Sequence, residues 1–247
     1  MNNSAPIRFQ LVPRANLLQS QKAKMFKLLS EHFDGVTTEQ FARDLAEKNL
    51  ALLLEREGEL VGFSTLLAYS THFEGALVNV IYSGDTIVTP EAWGSTALPR
   101  AWVAGVEALR ATLPPAPFYW LLLTSGFRTY RFLPVFWREF FPRYDTATPN
   151  DLQRLLNQLG RERFGNQFFA EKGIVRFAHP QQLRHGLKEI PAGRERDPHI
   201  LFFLSHNPHY TKGDELVCLT ELCPENLTAA GRRMMTPQSH VTQSDHR

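Results

Sequence analysis

The stretch that reads GALVNVIYSGDTIVTPEAWGSTALPRAWVAGVEAL from Gly75 constrains the fold more than any other part of the chain. A long apolar-rich strand, about Leu77 to Val88, runs into a proline turn and a Gly-Ser-Thr segment. An amphipathic helix through Trp102, Val106 and Leu109 follows. A helix that starts just beyond a strand presents unpaired backbone N–H groups and the positive end of its dipole, a ready site for phosphates. Pro99 has no N–H and is tolerated only in the first helical turn, so the N-cap falls at Thr96 or later. Gly94, Ser95, Thr96 and Ala97 are small, and each offers an N–H to a pyrophosphate. Arg100, one turn inside, can pair with a phosphate as a fork. The same residues also read as a strand-to-helix turn capped by Thr96, with Arg100 in solvent.

The rest of the composition excludes several classes. The chain has 247 residues, enough for one large domain or two small ones, and its formal charge of +2 shows no long Lys/Arg run. A nucleic-acid partner is therefore not expected. Two cysteines, Cys218 and Cys223, form a C-x4-C pair without two further ligands, so no metal is expected and the thiols read as reduced. The start MNNSAPIRFQ lacks a basic segment followed by an apolar core, and no apolar run approaches the ~20 residues that cross a bilayer. The expected location is the cytoplasm. Eighteen Phe and four Trp promise a large aromatic core or an apolar groove.

Hydrophobic periodicity orders the elements. Ile7, Phe9 and Leu11 alternate with polar neighbours as a half-buried strand ended by Pro13. Helical spacing predicts a helix from about Leu17 to Phe33, stopped by Gly35, and a second from Thr38 to about Lys48, with Thr37 and Gln40 as a capping box. ALLLEREGELVGFSTLLAY reads as a hairpin turning at Gly58. The long strand and its helix come next, then an apolar strand Phe118 to Thr124 of the buried, parallel kind. TYRFLPVFWREFF reads as a helix with a late start or kink at Pro134. Residues 146–191 read as a helical insertion, with a helix carrying Leu152, Leu155, Leu156 and Leu159 and a short second one around Gln181 to Leu187. Two strands, Ile200 to Ser205 and Glu215 to Leu222, read as a closing hairpin, and the polar residues 224–247 as a disordered tail.

This order of elements resembles the GNAT superfamily of acyl-CoA-dependent N-acyltransferases, as a divergent member. The resemblance covers about Ile7 to Leu222 without the insertion, and it is stronger in element order than in motif. The family's V-x-P at the end of the long strand is matched by Val88-Thr89-Pro90, and one loop glycine by Gly94. Trp93 stands where the family has a basic or amide residue, and Ser95-Thr96-Ala97 replaces the remaining glycine pattern. The resemblance implies an α/β fold: one GNAT-like domain over 1–223, a mixed central sheet flanked by helices, with the helical insertion before a C-terminal β-hairpin. It implies transfer of an acyl group, other than amino-acyl, from acyl-CoA or an acyl carrier protein thioester to a small-molecule or peptide amine. The alternative is a catalytically inactive module that binds CoA or another protein on the same fold. Coenzyme A enters as a co-substrate, and a homodimer is allowed. It implies further that the long strand and its parallel neighbour splay apart around the thioester. Thr86, Ile87 and Val88 then offer the strand edge to the pantetheine arm and one N–H to the thioester oxygen.

Acyl transfer to an amine needs a group that takes a proton from the ammonium and profits from one that returns it to the thiolate. Asp85 interrupts an apolar strand after Ser83 and Gly84, where a charge is costly unless it is paired or functional. It is the candidate base, with a wet strand face or a bulge at Gly84 as the other reading. The family's acidic Tyr position holds Phe136, so Tyr130 is the nearest substitute, and Ser125 and Arg128 share its loop. Tyr130 also reads as core packing at a helix start. Ser83 and Arg128 are candidate substrate contacts. His72 and Glu74 precede the long strand on the expected acceptor side. His206 and His209 read as turn decoration, and Asp214 and Glu215 as the end of a loop. The chain has no Gly-x-Ser-x-Gly elbow, Walker loop or Rossmann fingerprint.

Overall fold

The computed structural model describes residues 5–184 and 186–235. In chain order the elements are β1 (Arg8–Pro13), α1 (Gln19–His32), β2 (Phe33–Asp34), α2 (Thr38–Ala46), β3 (Leu50–Arg56), β4 (Glu59–Phe73), β5 (Ala76–Val88), α3 (Ala97–Arg110) and β6 (Phe118–Thr124). They continue as α4 (Phe127–Tyr130), α5 (Phe132–Phe136), α6 (Asn150–Phe164), β7 (Phe168–Phe169), β8 (Ile174–Val175), β9 (Gln182–Leu183), α7 (Pro198–His206), β10 (Glu215–Glu221) and α8 (Ala229–Met235).

Eight strands form one sheet in the order β1-β3-β4-β5-β6-β10-β8-β7. The pairing is antiparallel throughout except between β5 and β6, which run parallel. The apolar run in β3 follows from burial on both faces. Leu50, Leu52 and Leu54 pack toward α3, while Ala51 and Leu53 pack toward α1 and α2. One face is thus covered by α3, α4, α5, α7 and α8, and the other by α1 and α2 at one end and α6 at the other. Both hairpin turns flanking β4 use left-handed residues, Glu57 and Gly58 on one side and Glu74 and Gly75 on the other. The expected cap of α2 forms, with Thr37 Oγ1 accepting from the Gln40 N–H at 3.2 Å. The Gln40 side chain donates to Asp44 instead of closing the box.

Four expectations give way to the structure. Ile200 to Ser205 belongs to α7, so the closing hairpin is absent and β10 pairs with β6. A six-residue apolar run carries no period to separate strand from buried helix. Asp197-Pro198 decides it, because Asp197 Oδ1 accepts from the N–H groups of His199 and Ile200 at 3.0 and 3.4 Å. The helix expected over TYRFLPVFWREFF divides at Arg131 into the short α4 and α5, with Pro134 in the first turn of α5, and Trp137 then bridges to Leu227. Among the described residues of 146–191, α6 is the one α-helix. Gln182–Leu183 is a strand paired to β2, not part of a second helix. The chain also stays ordered past Pro224, since α8 packs on α3 and α5. Residues 236–247 of the expected tail lie outside the described residues.

The Asp197 cap is a testable anchor. Its carboxylate also meets Arg131 Nε at 3.0 Å. Asp197→Ala should cost about 1–2 kcal/mol, the usual worth of an N-cap, read as a lower midpoint in urea.

Candidate functional site

The parallel pair at the centre of the sheet does not stay paired. Register runs from Asn79↔Phe118 to Ser83↔Leu122 and then stops, although β5 continues to Val88 and β6 to Thr124. On its other side β5 remains bonded to β4 up to Val88. The free backbone edge of 84–88 therefore faces a wedge. A bulge marks the same place. Between Thr65↔Gly84 and Phe63↔Ile87, Ser64 alone opposes both Asp85 and Thr86. Bulges re-aim side chains. Here Thr86 Oγ1 meets Ser64 Oγ at 2.7 Å, and Asp85 turns into a cavity.

Two cavities meet at the wedge, and Phe33, Ser83, Thr86, Leu122, Ser125 and Thr129 line both. The first, about 460 Å³, lies on the α3 face between Thr96 at the N-cap of α3, Val88 and the start of α5, with Trp102, Trp120 and Phe136 in its walls. The second, about 380 Å³, lies between α2 and the C-terminal end of α6 and is polar, with Asp44, Lys48, Asp85, Arg163 and Glu215. β9 and the loops beside it close over them. Leu183 and Leu187 line the apolar cavity, and Phe177, His179 and Gln181 the polar one.

The fold is a mixed α/β sheet flanked by helices. No family model matches the chain, and neither does any curated protein. Among solved structures it is similar to a GCN5-related N-acetyltransferase from Kribbella flavida, at 14% identity and TM-score 0.40, over 51% of this chain and 32% of that one. It is also similar to Escherichia coli ElaA, at 16% identity and TM-score 0.38, over 59% of this chain and 94% of that one. A third is the GNAT family N-acetyltransferase YhbS of Escherichia coli in complex with CoA, at 13% identity and TM-score 0.35, over 49% and 63% of the two chains. The chain thus spans about a third of the Kribbella protein's length. Likeness at this level says nothing of what this chain binds; that argument rests on the wedge and its two cavities.

Around the wedge the sequence candidates separate. Ser83, Asp85, Ile87, Val88, Ser95, Thr96, Ser125 and Arg128 all line one cavity or both. Gly94, Ala97 and Arg100 do not line either, although Gly94 is exposed beside Ser95 and Arg100 sits half-buried in the first turn of α3. The loop amides are partly spent. The Ser95 N–H donates to Ala92 O at 3.0 Å and the Ala97 N–H to Ser95 Oγ at 3.1 Å. Trp93 explains its departure from the family pattern. Its indole N–H donates to Val88 O at 2.8 Å, and Arg128 lies 4.4 Å over its ring. Arg128 in turn donates to the carbonyls of Leu187 and Glu189. Ser83 Oγ accepts from the Trp120 indole at 2.9 Å, which fixes that wall of the wedge.

Other candidates lie elsewhere. Tyr130 is fully buried, its hydroxyl donates to Pro142 O at 3.0 Å, and it packs among Phe140, Phe202 and Phe203, away from both cavities. Burial raises its pKa, the reverse of what an acid at neutral pH needs. Glu74 sits in the β4–β5 turn paired with Arg154, and exposed His72 lies beside it at the far end of β4. His206 stacks on Phe202 at 3.8 Å. Among the described residues no group of three or more His, Cys, Asp or Glu is arranged to hold a metal, and no helix is long and apolar enough to cross a membrane.

The polar cavity holds what sequence reading missed. Lys48 is 4% exposed, donates to Asp44 O at 3.0 Å and lies beside Gly84, whose missing Cβ makes the approach feasible. Burial lowers its pKa, with Asp85 opposing that shift. Asp85 is deeply surrounded by protein atoms while keeping a partial opening to the cavity. Burial pushes it up to about 6, against the pull of Lys48. Burial and then the Asp85 charge push Glu215 up to about 8. These partners come from the connection after α2 and from β10, far from β5 in sequence, so no local motif reports them.

Glu215 carries a stability prediction. The folded carboxyl keeps a proton that the unfolded chain loses near the ordinary glutamate value of 4.5. Stability therefore falls as pH rises from there through about 8. Glu215→Gln removes this penalty. Its melting temperature should match the wild type near pH 4 and exceed it at pH 9, by an amount equivalent to about 2 kcal/mol after allowing for water in the cavity.

Proposed function

We propose that the protein transfers an acyl group from a pantetheinyl thioester, acyl-CoA or an acyl carrier protein, to an amine. The observation that carries this is the parting of β5 from β6 after Ser83 and Leu122, with an apolar cavity on one side and a polar one on the other. The apolar side suits the pantetheine arm and an acyl chain, with Thr96 and Ser95 at the α3 end nearest the phosphates. The polar side suits the amine.

In this reading Asp85 takes a proton from the bound ammonium, either directly or through one water. The freed amine attacks the thioester carbon, and a new C–N bond forms as electrons move to the carbonyl oxygen. A backbone N–H from the exposed 84–88 edge steadies that oxyanion. Collapse restores the carbonyl and breaks the C–S bond. Ser125, common to both cavities, is the hydroxyl that can donate to the departing thiolate while it takes the second proton from the nitrogen, which leaves a neutral amide. Tyr130 has no part in it. The insertion after α6 roofs the acceptor side.

A non-catalytic module is the second reading. It is favoured by the internal use of the Ser95 and Ala97 amides and by the capping of Val88 O by Trp93. One experiment separates the two. The protein is mixed with acetyl-, octanoyl- and palmitoyl-CoA, alone and with an amine panel, while melting temperature and free thiol are followed. The transferase reading expects a raised melting temperature and amine-dependent thiol release. Binding without release favours the module, and an unchanged melting temperature with no thiol release contradicts both.

A further inference from the structure

The polar cavity leaves two buried side-chain atoms of opposite kind without a hydrogen-bond partner. Asp85 Oδ2 is an acceptor with no donor, and Arg163 Nε is a donor with no acceptor. Leaving both buried and unmet is costly, so each position is explained by something that completes it. Arg163 is held in place. It is tied through its terminal nitrogen to Glu47 and lies 4.9 Å over the Tyr82 ring. Lys48 lies 5.1 Å over that same ring and is tied to Asp44 O. Two cations are therefore held against one aromatic ring and near enough to repel each other, with N–H groups to spare. Asp85 stands near Lys48 on β5, and Glu215 closes the cavity from β10.

We propose that this cavity binds an amine that also carries a carboxylate, an amino acid in the chemical sense, with its ammonium on Asp85 and its carboxylate on Arg163 and Lys48. The ammonium supplies the donor that Asp85 Oδ2 lacks. The carboxylate supplies the acceptor that Arg163 Nε lacks, in the planar geometry a guanidinium favours. A dianionic phosphate fits less well, because the carboxylates of Asp44, Glu47 and Asp85 already line the walls. The volume of about 380 Å³ takes one small molecule. That the ligand is the acyl acceptor rests on the transferase reading; that it binds does not.

The test is therefore a binding measurement on the full chain, without acyl donor. Calorimetry is run with each of the twenty proteinogenic amino acids and with methylamine, phenethylamine, histamine and cadaverine, which are glycine, phenylalanine, histidine and lysine without the carboxylate. At least one amino acid should bind, and those with a tested counterpart should bind at least tenfold tighter than it. Arg163→Met should abolish that preference while leaving the weak amine binding in place. Lys48→Met serves the same purpose if Arg163→Met does not fold. Saturation by no amino acid, equal affinity for the decarboxylated partners, or an unchanged preference in a folded variant overturns the proposal. Amino-acid binding without acyl transfer would leave this site standing and count against the transferase reading alone.

Discussion

Asp85→Asn is expected to lower acyl transfer by about 10²–10⁴-fold, the usual worth of a positioned general base, while acyl-CoA still raises the melting temperature as in the wild type. The substitution keeps the shape and removes the proton acceptor. Two further signatures separate a base from a merely structural residue. Wild-type kcat/KM should rise with pH through about 6, where burial has moved the Asp85 carboxyl, and level off above it. The residual activity of the variant should lack that limb. Stability should move the other way. A carboxyl raised from 3.8 to about 6 costs the folded state its charge as pH climbs through that window. The variant should therefore melt higher than the wild type at pH 8, by an amount equivalent to about 1–2 kcal/mol, and equally at pH 4. Lost activity with gained stability is what a residue kept for chemistry shows.

Gly84→Val is expected to raise the acceptor KM at least tenfold with little change in donor binding. A Cβ at this position would lie 2.7 Å from Lys48 Cε and 3.2 Å from its Nζ. The colliding atoms are the far end of a flexible side chain, so the fold survives by moving Lys48. The displaced ammonium must then enter the polar cavity or give up its bond to Asp44 O. Either outcome spoils the surface on which the amine is held. Donor binding lies across the wedge, in the cavity lined by Trp102 and Trp120, and is not crowded by this change. Equal losses in donor and acceptor binding would argue that the two cavities do not act as separate subsites.

The parts of the fold legible in the sequence are those with local cause. Alternation in β1, the Thr37 cap, the Gly58 turn and Pro99 in the first turn of α3 each follow from short-range chemistry, and the structure has them. The splay was expected only through resemblance, because a strand that leaves its partner shows no mark in its own residues. Asp85 stood out because a carboxylate in an apolar strand is costly. The polar cavity stayed hidden because Lys48, Arg163 and Glu215 come from the connection after α2, from α6 and from β10 and meet only in three dimensions. Tyr130 misled because a tyrosine at the mouth of a cleft and one under a helix look alike in sequence. Only its bond to Pro142 O separates them. The α7 segment misled for another reason, since six apolar residues suit either a strand or a buried helix, and the Asp-Pro signal before them carried the answer.

The central claim is that the gap between β5 and β6 receives a pantetheinyl thioester. A crystal structure with an unreactive acyl-CoA thioether tests it most directly. The account predicts the sulfur between the 84–88 edge and Ser125, with the pantetheine arm along Val88 and the acyl chain in the apolar cavity. A ligand bound elsewhere, or residues 84–88 hydrogen-bonded to β6 with the gap closed, would contradict it.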